Sequence, residues 1–388
     1  MAEKDDASGS SVAMASTSSL IQVIRTLSEQ FPNKFPTPSH NETVEIGDNI
    51  IGQGTFGKVF IGILSTSEEK ADVTYLAVKK IDLDLLNEKQ YNLLKKETLN
   101  MRDVRHPKLV SLLHCFVSDM CCLMVTPLMN YMSCDHIIAT NYPNGLSEGA
   151  IGMILKHLLQ GLSYLHSKNY IHRGIKASHI LVNIEGHVKL CGFRHMIKLP
   201  PGQKEITDPN ALVDMSKHLN WLAPEMLQQN REGFGLKSDV YSIGMTVLEL
   251  GNGVVPHSDV SPPGILVRVL NEPPPRLWDR NFLPSSETKM TPETQKQVVE
   301  RDIPYRRKQY SRDIVYFVSQ CVMSYPGLRA GLQDIMRMKF ITSYAKQVDY
   351  TLVKHLSKLG PPALYHSYET AYQRASEEND SPEWDFSV

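Results

Sequence analysis

The sequence predicts an α+β fold of two lobes, an antiparallel sheet with one main helix followed by a mostly helical lobe, and three features predict it. Short β-branched runs bounded by turn residues recur between residues 44 and 125. A single helical stretch interrupts them. After Asn130 the apolar period lengthens from two toward 3.6 and stays there.

The strands are expected at Val44 to Ile51, Val59 to Leu64, Val73 to Val78, Leu109 to Phe116 and Cys122 to Val125, with the helix from Leu85 to Val104 among them. In the second region, Ile151 to His166 and Ser238 to Leu250 repeat apolar residues at i, i+3 and i+4, and a helical signal resumes at Ile314. Between these, residues 272–311 are rich in proline, serine and charge, and read as a mobile insertion. Residues 1–43 form an N-terminal arm, too polar at its start to repay ordering, with a possible short helix at Leu20, Ile21, Val23, Ile24 and Leu27. The domain is expected over 44–342, its first lobe 44–129 and its second 130–342, followed by a tail, 343–388.

Composition excludes several classes of function. The chain has 388 residues, 41% of them hydrophobic, which suits a globular protein with a large core. Its 41 basic and 42 acidic residues nearly cancel and form no long basic run, so no nucleic-acid partner is expected. No run of 18 apolar residues occurs, so no membrane association is expected either. The N-terminus lacks the apolar stretch of a signal peptide, and a cytoplasmic or nuclear location follows as an expectation. Six cysteines, at 115, 121, 122, 134, 191 and 321, show no C-x-x-C spacing, so neither a disulfide framework nor a metal site is expected of them.

The chemistry begins at Gly52-Gln53-Gly54-Thr55-Phe56-Gly57-Lys58-Val59, a G-x-G-x-x-G-x-V pattern. Without Cβ atoms a backbone hairpin can close over phosphates and donate N–H groups. A glycine triplet alone is a weak signal. Here it lies between two expected strands, which argues against the strand-to-helix turn of a dinucleotide fold. Some twenty residues on, Leu76-Ala77-Val78-Lys79 places a lysine on an apolar strand, and Glu97 falls on the helix that follows. A strand lysine paired with a helix glutamate aims an ammonium at phosphates.

With these elements the chain resembles a eukaryotic protein kinase over residues 45 to 342. His172-Arg173 before Lys176, Ala223-Pro224-Glu225, Asp239 in a Ser-Asp-Val-Tyr-Ser-Ile-Gly stretch, and Arg329 agree in order and spacing. The resemblance implies structural roles: a buried Glu225–Arg329 ion pair, and Asp239 holding the backbone of the 172–174 turn. It implies a nucleotide site lined by Ile51, Gly52, Gly54, Gly57, Val59 and Ala77, with Lys79, Glu97 and Lys176 toward the phosphates. The stretch Leu128-Met129 aligns with the hinge that reads adenine, through Met129.

The catalytic letters differ. Where kinases carry a base Asp, a metal-binding Asn and a second metal-binding Asp, this chain has Gly174, His179 and Gly192. His218 stands where the activation segment carries a threonine. Losing a positioned base costs about 10²–10⁴-fold, against a kinase turnover of about 1–100 per second, and losing both metal ligands adds a further penalty. No catalytic residue and no metal site are therefore expected. Nucleotide binding is expected to survive, with ATP held without Mg²⁺, because Arg194 and His179 offer cationic donors near the phosphates.

His172 to Leu181, Gly192-Phe193-Arg194 and Leu227-Gln228-Gln229-Asn230 closely resemble the STE20-related adaptor (STRAD) pseudokinases. The tail does too, since members of that family end in Trp-Glu-Phe and this chain carries Trp384-Asp385-Phe386. The resemblance implies an allosteric adaptor that activates a liver-kinase-B-type Ser/Thr kinase together with a Mo25-type helical-repeat scaffold, which takes the terminal aromatics. Unlike the family pattern, Asp385 replaces Glu, Ser387-Val388 extend the end, and a complete glycine loop with Lys79 is retained. Two other readings stay open: an active STE20-type kinase with displaced, metal-independent chemistry, and an interaction module indifferent to nucleotide.

Overall fold

The computed structural model describes residues 33–36, 42–66, 74–208, 215–228, 233–284 and 295–359. They fall into two compact units. Among the described residues, one takes 33–86 and Leu112–Leu128; the other takes Asn87–Ser111 and 129–359. The helical stretch 20–27 and the terminal Trp384, Asp385 and Phe386 lie outside the described residues.

The first unit is a six-stranded sheet, every neighbouring pair antiparallel, in the order β1-β2-β3-β4-β6-β5. These strands are β1 (Asn33–Pro36), β2 (Glu42–Gly54), β3 (Gly57–Thr66), β4 (Thr74–Asp82), β5 (His114–Ser118) and β6 (Cys121–Pro127). Alternation puts Val44 and Ile46, Leu76 and Val78, and Leu123 and Val125 on one face, where they bury each other with Phe60 and Phe116 packed alongside. The expected strand at Leu109 to Phe116 is corrected: pairing starts at His114, and Leu109 instead bridges Leu190 in the other unit's ladder. An apolar run reads alike whether it pairs with a sheet or packs beside one.

In the second unit, helix α1 (Glu88–Asp103) begins three residues later than the apolar pattern suggests. Asn87 and Gln90 form a capping box there, each side chain bonding the other's backbone N–H, at 2.9 and 3.0 Å. The helix lies with the second unit, and Asn100 donates to the carbonyls of Phe193 and Met196 at 2.7 and 3.1 Å. Helices α2 (Cys134–Asn141), α3 (Glu148–Ser167), α4 (Pro224–Leu227) and α5 (Lys237–Asn252) follow. Every residue of α5 after Lys237 is buried, so it runs through the core of the unit. Short ladders join β7 (Tyr170–Ile171) to β10 (Ile197–Lys198), β8 (Ile180–Val182) to β9 (Val188–Leu190), and β11 (Glu205–Ile206) to β12 (Phe234–Gly235).

The chain continues through α6 (Pro262–Asn271), α7 (Gln295–Arg306), α8 (Arg312–Cys321), α9 (Leu332–Arg337), α10 (Lys339–Thr342) and α11 (Thr351–His355). Within 272–311, expected to be a mobile insertion, the described residues include α7 and are anchored. Trp278 meets Tyr305 edge to face at 5.4 Å, and the Tyr305 hydroxyl donates to the Asn252 carbonyl at 2.8 Å. Proline and charge set the composition of this stretch, but a few aromatics decide its packing. Among the described residues no helix is long and apolar enough to cross a membrane.

Candidate functional site

In the first unit the glycine pattern is a hairpin. Gly52 faces Val59, Gln53 faces Lys58 and Gly54 faces Gly57, leaving Thr55-Phe56 at the tip. A Cβ on Gly57 would lie 2.1 Å from the Lys80 carbonyl oxygen, so only glycine lets β3 come this close to β4. Lys79 pairs with Val59 on one side and Met124 on the other. Its Cε lies 3.2 Å from where a Cβ of Gly54 would be. The sheet thus brings the hairpin backbone and the lysine together, with Ile51 buried and Ala77 on the lysine's own strand, paired with Ile61.

In the second unit, Asp239 at the start of α5 is fully buried and holds the turn before Gly174. Its carboxylate accepts the His172 and Arg173 N–H groups at 2.8 and 2.9 Å and contacts His166 Nε2 at 2.8 Å. Burial acts to raise its pKa, yet His166 and these donors outweigh that and hold it below the usual carboxylate value. Further along, Arg329 grips Glu225 with its two terminal guanidinium nitrogens, at 2.6 and 2.9 Å, and α5's Ser238 hydroxyl donates to the same carboxylate. His172 is buried, and its tautomer follows from its partners: Nδ1 accepts the Gly174 N–H at 3.2 Å and Nε2 donates to the Cys191 carbonyl at 3.1 Å. It is neutral, its pKa lowered by burial to about 4.

Gly174, His179 and Gly192 form one packed group. His179 Nδ1 donates to the Gly174 carbonyl at 2.5 Å, and the Cys191 N–H donates to the His179 carbonyl at 2.9 Å. Gly192 has φ +87°, and a Cβ there would lie 2.4 Å from His179 Nδ1; one on Gly174 would lie 3.3 Å from the same atom. The imidazole fills the space beside both glycines. The expectation that His179 supplies a cation is corrected, because burial and then the Lys176 charge push its pKa well below the ordinary value. It stands as a neutral donor.

Around this group the remaining residues are tightly engaged. Arg194 is largely buried and lies 3.6 Å from the Glu97 carboxylate. Lys176 sits over the Trp221 ring at 5.0 Å, and burial lowers its pKa. Met129 is buried, and its carbonyl accepts the Met132 N–H at 2.8 Å. His218 packs against the rings of His179 and His195, with centroids 5.6 and 4.9 Å away. Among the described residues no cluster of metal-ligating side chains is formed.

Sequence reasoning missed Glu249. It is fully buried in α5, accepting Ala177 N–H at 2.9 Å and Trp221 Nε1–H at 2.8 Å, and burial raises its pKa to about 7. The signal was present in Val247-Leu248-Glu249-Leu250, where a carboxylate interrupts an apolar helical run and must find donors. His195 and Asp208 gave no such signal.

A glycine hairpin beside a strand lysine, a turn held by a buried aspartate and the Glu225–Arg329 pair define a protein kinase domain. The family model described as the protein kinase domain matches residues 47–341. Within that class the chain belongs to the STE20-related kinase adapter family. It is 30% identical over 327 residues to the human STE20-related kinase adapter protein alpha, covering 79% of this chain and 75% of that protein. To the Caenorhabditis elegans STE20-related kinase adapter protein strd-1 it is 32% identical over 287 residues, 74% of this chain and 71% of that one. The human beta form is 35% identical over 222 residues, covering 56% and 52%.

Proposed function

We propose that the chain is a catalytically inactive, ATP-binding adapter, which with a Mo25-type scaffold holds a liver-kinase-B-type Ser/Thr kinase in its active conformation. One observation carries the loss of catalysis. The positions for base and metal ligands are occupied by two glycines and a neutral imidazole that packs between them, so no carboxylate is available there. In the first unit, the approach of the Gly54 backbone to Lys79 suits a phosphate-binding hairpin. In that unit Ile51, Val59 and Ala77 would line the adenine, and Lys79 would meet the phosphates. In the second unit, Arg194 would offer a phosphate less than a full free charge, with Glu97 beside it. ATP would act as a structural ligand whose binding favours one arrangement of the chain.

A thermal-shift and calorimetric titration with ATP, in EDTA and in Mg²⁺, tests the reading beside a phosphotransfer assay. Equal stabilisation in both buffers with no transfer is expected. Strict Mg²⁺ dependence would remove the metal-free part, and transfer abolished by Lys79→Met would replace the reading with an active kinase. For the partners, Trp384→Ala with Phe386→Ala should abolish scaffold capture and lower activation of the partner kinase. Unchanged complex formation would remove the tail from the proposal.

A further inference from the structure

The activation segment, which follows Gly192-Phe193-Arg194 and ends before α4, is held by an ionic contact that the catalytic motifs do not explain. Arg173 is 3% exposed and has φ +64°, a left-handed conformation that is unfavourable for a non-glycine residue. Asp239 stabilises that turn by accepting the Arg173 N–H. The turn directs the guanidinium into the segment. Nη1 donates to Asp208 Oδ2 at 2.7 Å, Nε and Nη2 lie 3.4 and 3.1 Å from Met215 Sδ, and the group sits 5.5 Å from the centre of the Phe234 ring.

The backbone is set at the same place. Glu205–Ile206 pairs with Phe234–Gly235 immediately before Asp208. Two glycines permit this ladder, since a Cβ on Gly235 would lie 2.4 Å from the Lys204 carbonyl oxygen and one on Gly233 2.6 Å from that of Ile206. Arg173 therefore contacts the segment on both sides of residues 209–214, at Asp208 and at Met215.

We propose that Asp208 is a permanent substitute for a phosphorylated side chain in the activation segment. In kinases whose segment is ordered by phosphorylation, an arginine captures the phosphate and the contact comes and goes with the modification. Here the arginine is buried and its partner is a carboxylate encoded in the chain. A buried guanidinium left without an anion is strongly unfavourable, so the pair keeps residues 197–208 in one arrangement at all times. This rests on the adapter reading, in which phosphorylation of the segment does not set the surface presented to the partner.

Hydrogen exchange on the full-length protein tests the lock, comparing peptides covering 197–208 with helix α5 in wild type, Asp208→Asn and Asp208→Glu. Asp208→Asn keeps the shape and removes the charge; it should speed exchange in 197–208 about tenfold or more while α5 stays protected. Asp208→Glu should retain most of the protection. Phosphatase treatment of the wild type should change nothing. Unchanged exchange in Asp208→Asn, loss of protection throughout the chain, or phosphatase-sensitive exchange in the wild type would each overturn the proposal. Partner-kinase activation measured on the same variants separates the two ideas: a lock that responds as expected in a protein that activates nothing leaves the lock and removes the adapter reading.

Discussion

Restoring one catalytic letter should damage this protein unless the imidazole packed beside it is removed. Gly192→Asp places a side chain on a residue at φ +87°, where a non-glycine backbone costs about 1–2 kcal/mol. It also sets the new Cβ at 2.4, 2.6 and 2.7 Å from three atoms of the His179 ring, far inside contact distance. Overpacking of this kind costs about 1–3 kcal/mol in a core. The single variant should therefore lose about 2–5 kcal/mol. His179→Ala removes Cγ and every ring atom beyond it and, with them, the overlap, so Gly192→Asp made in that background should cost only the backbone part. The two substitutions should couple by about 1–3 kcal/mol in a double-mutant cycle measured by urea unfolding. Gly174→Asp, whose Cβ would stand 3.3 Å from the same ring, should couple with the same sign but less strongly. Additive losses would refute the reasoning that the imidazole and the two glycines are one packing unit.

The buried pair behaves differently from a surface one. Arg329→Ala strands the Glu225 carboxylate with Ser238 and should cost about 3–5 kcal/mol, whereas Arg329→Met with Glu225→Leu should recover much of it; a double variant as unstable as the sum of the singles would contradict this. Acid should weaken the protein well above the carboxylate range. Burial holds His157, His172 and His257 near 4 and His195 near 3, and keeps His179 and His218 well below their ordinary value. In each case the unfolded chain takes up the proton first, so stability is full above about 6.5 and falls as pH drops toward the folded values, by up to about 1.4 kcal/mol per pH unit for each histidine. Glu249, raised by burial to about 7, acts in the opposite direction between its folded and unfolded values, but it is one group against six. A melting temperature flat from neutral pH down to about 5.5 would overturn this balance.

Much of the candidate site could be named from motif spacing. Gly52, Gly54, Gly57 and Lys79 sit on adjacent strands whose alternation is local, and the roles of Glu225, Asp239 and Arg329 follow from their order in the chain. The state of those residues was less legible. His179 looked like a cation in the sequence and is neutral in the fold, because its charge state depends on Gly174, Gly192 and Lys176 closing around it. Arg194 looked like a free phosphate ligand and stands beside Glu97, from a helix nearly a hundred residues earlier. The apolar run from Leu109 divides between a bridge to Leu190 and a strand starting at His114, a choice no periodicity encodes.

By itself the sequence determined the α+β class, the glycine hairpin and the absence of carboxylates at 174 and 192, since each is a matter of residue identity and short-range spacing. Only the tertiary structure decided which ions are neutral, that Glu249 meets Ala177 and Trp221, and that Arg173 holds Asp208. Protonation and ion pairing depend on desolvation and on neighbours within a few ångströms, and those neighbours are brought together by the fold from positions far apart in the chain.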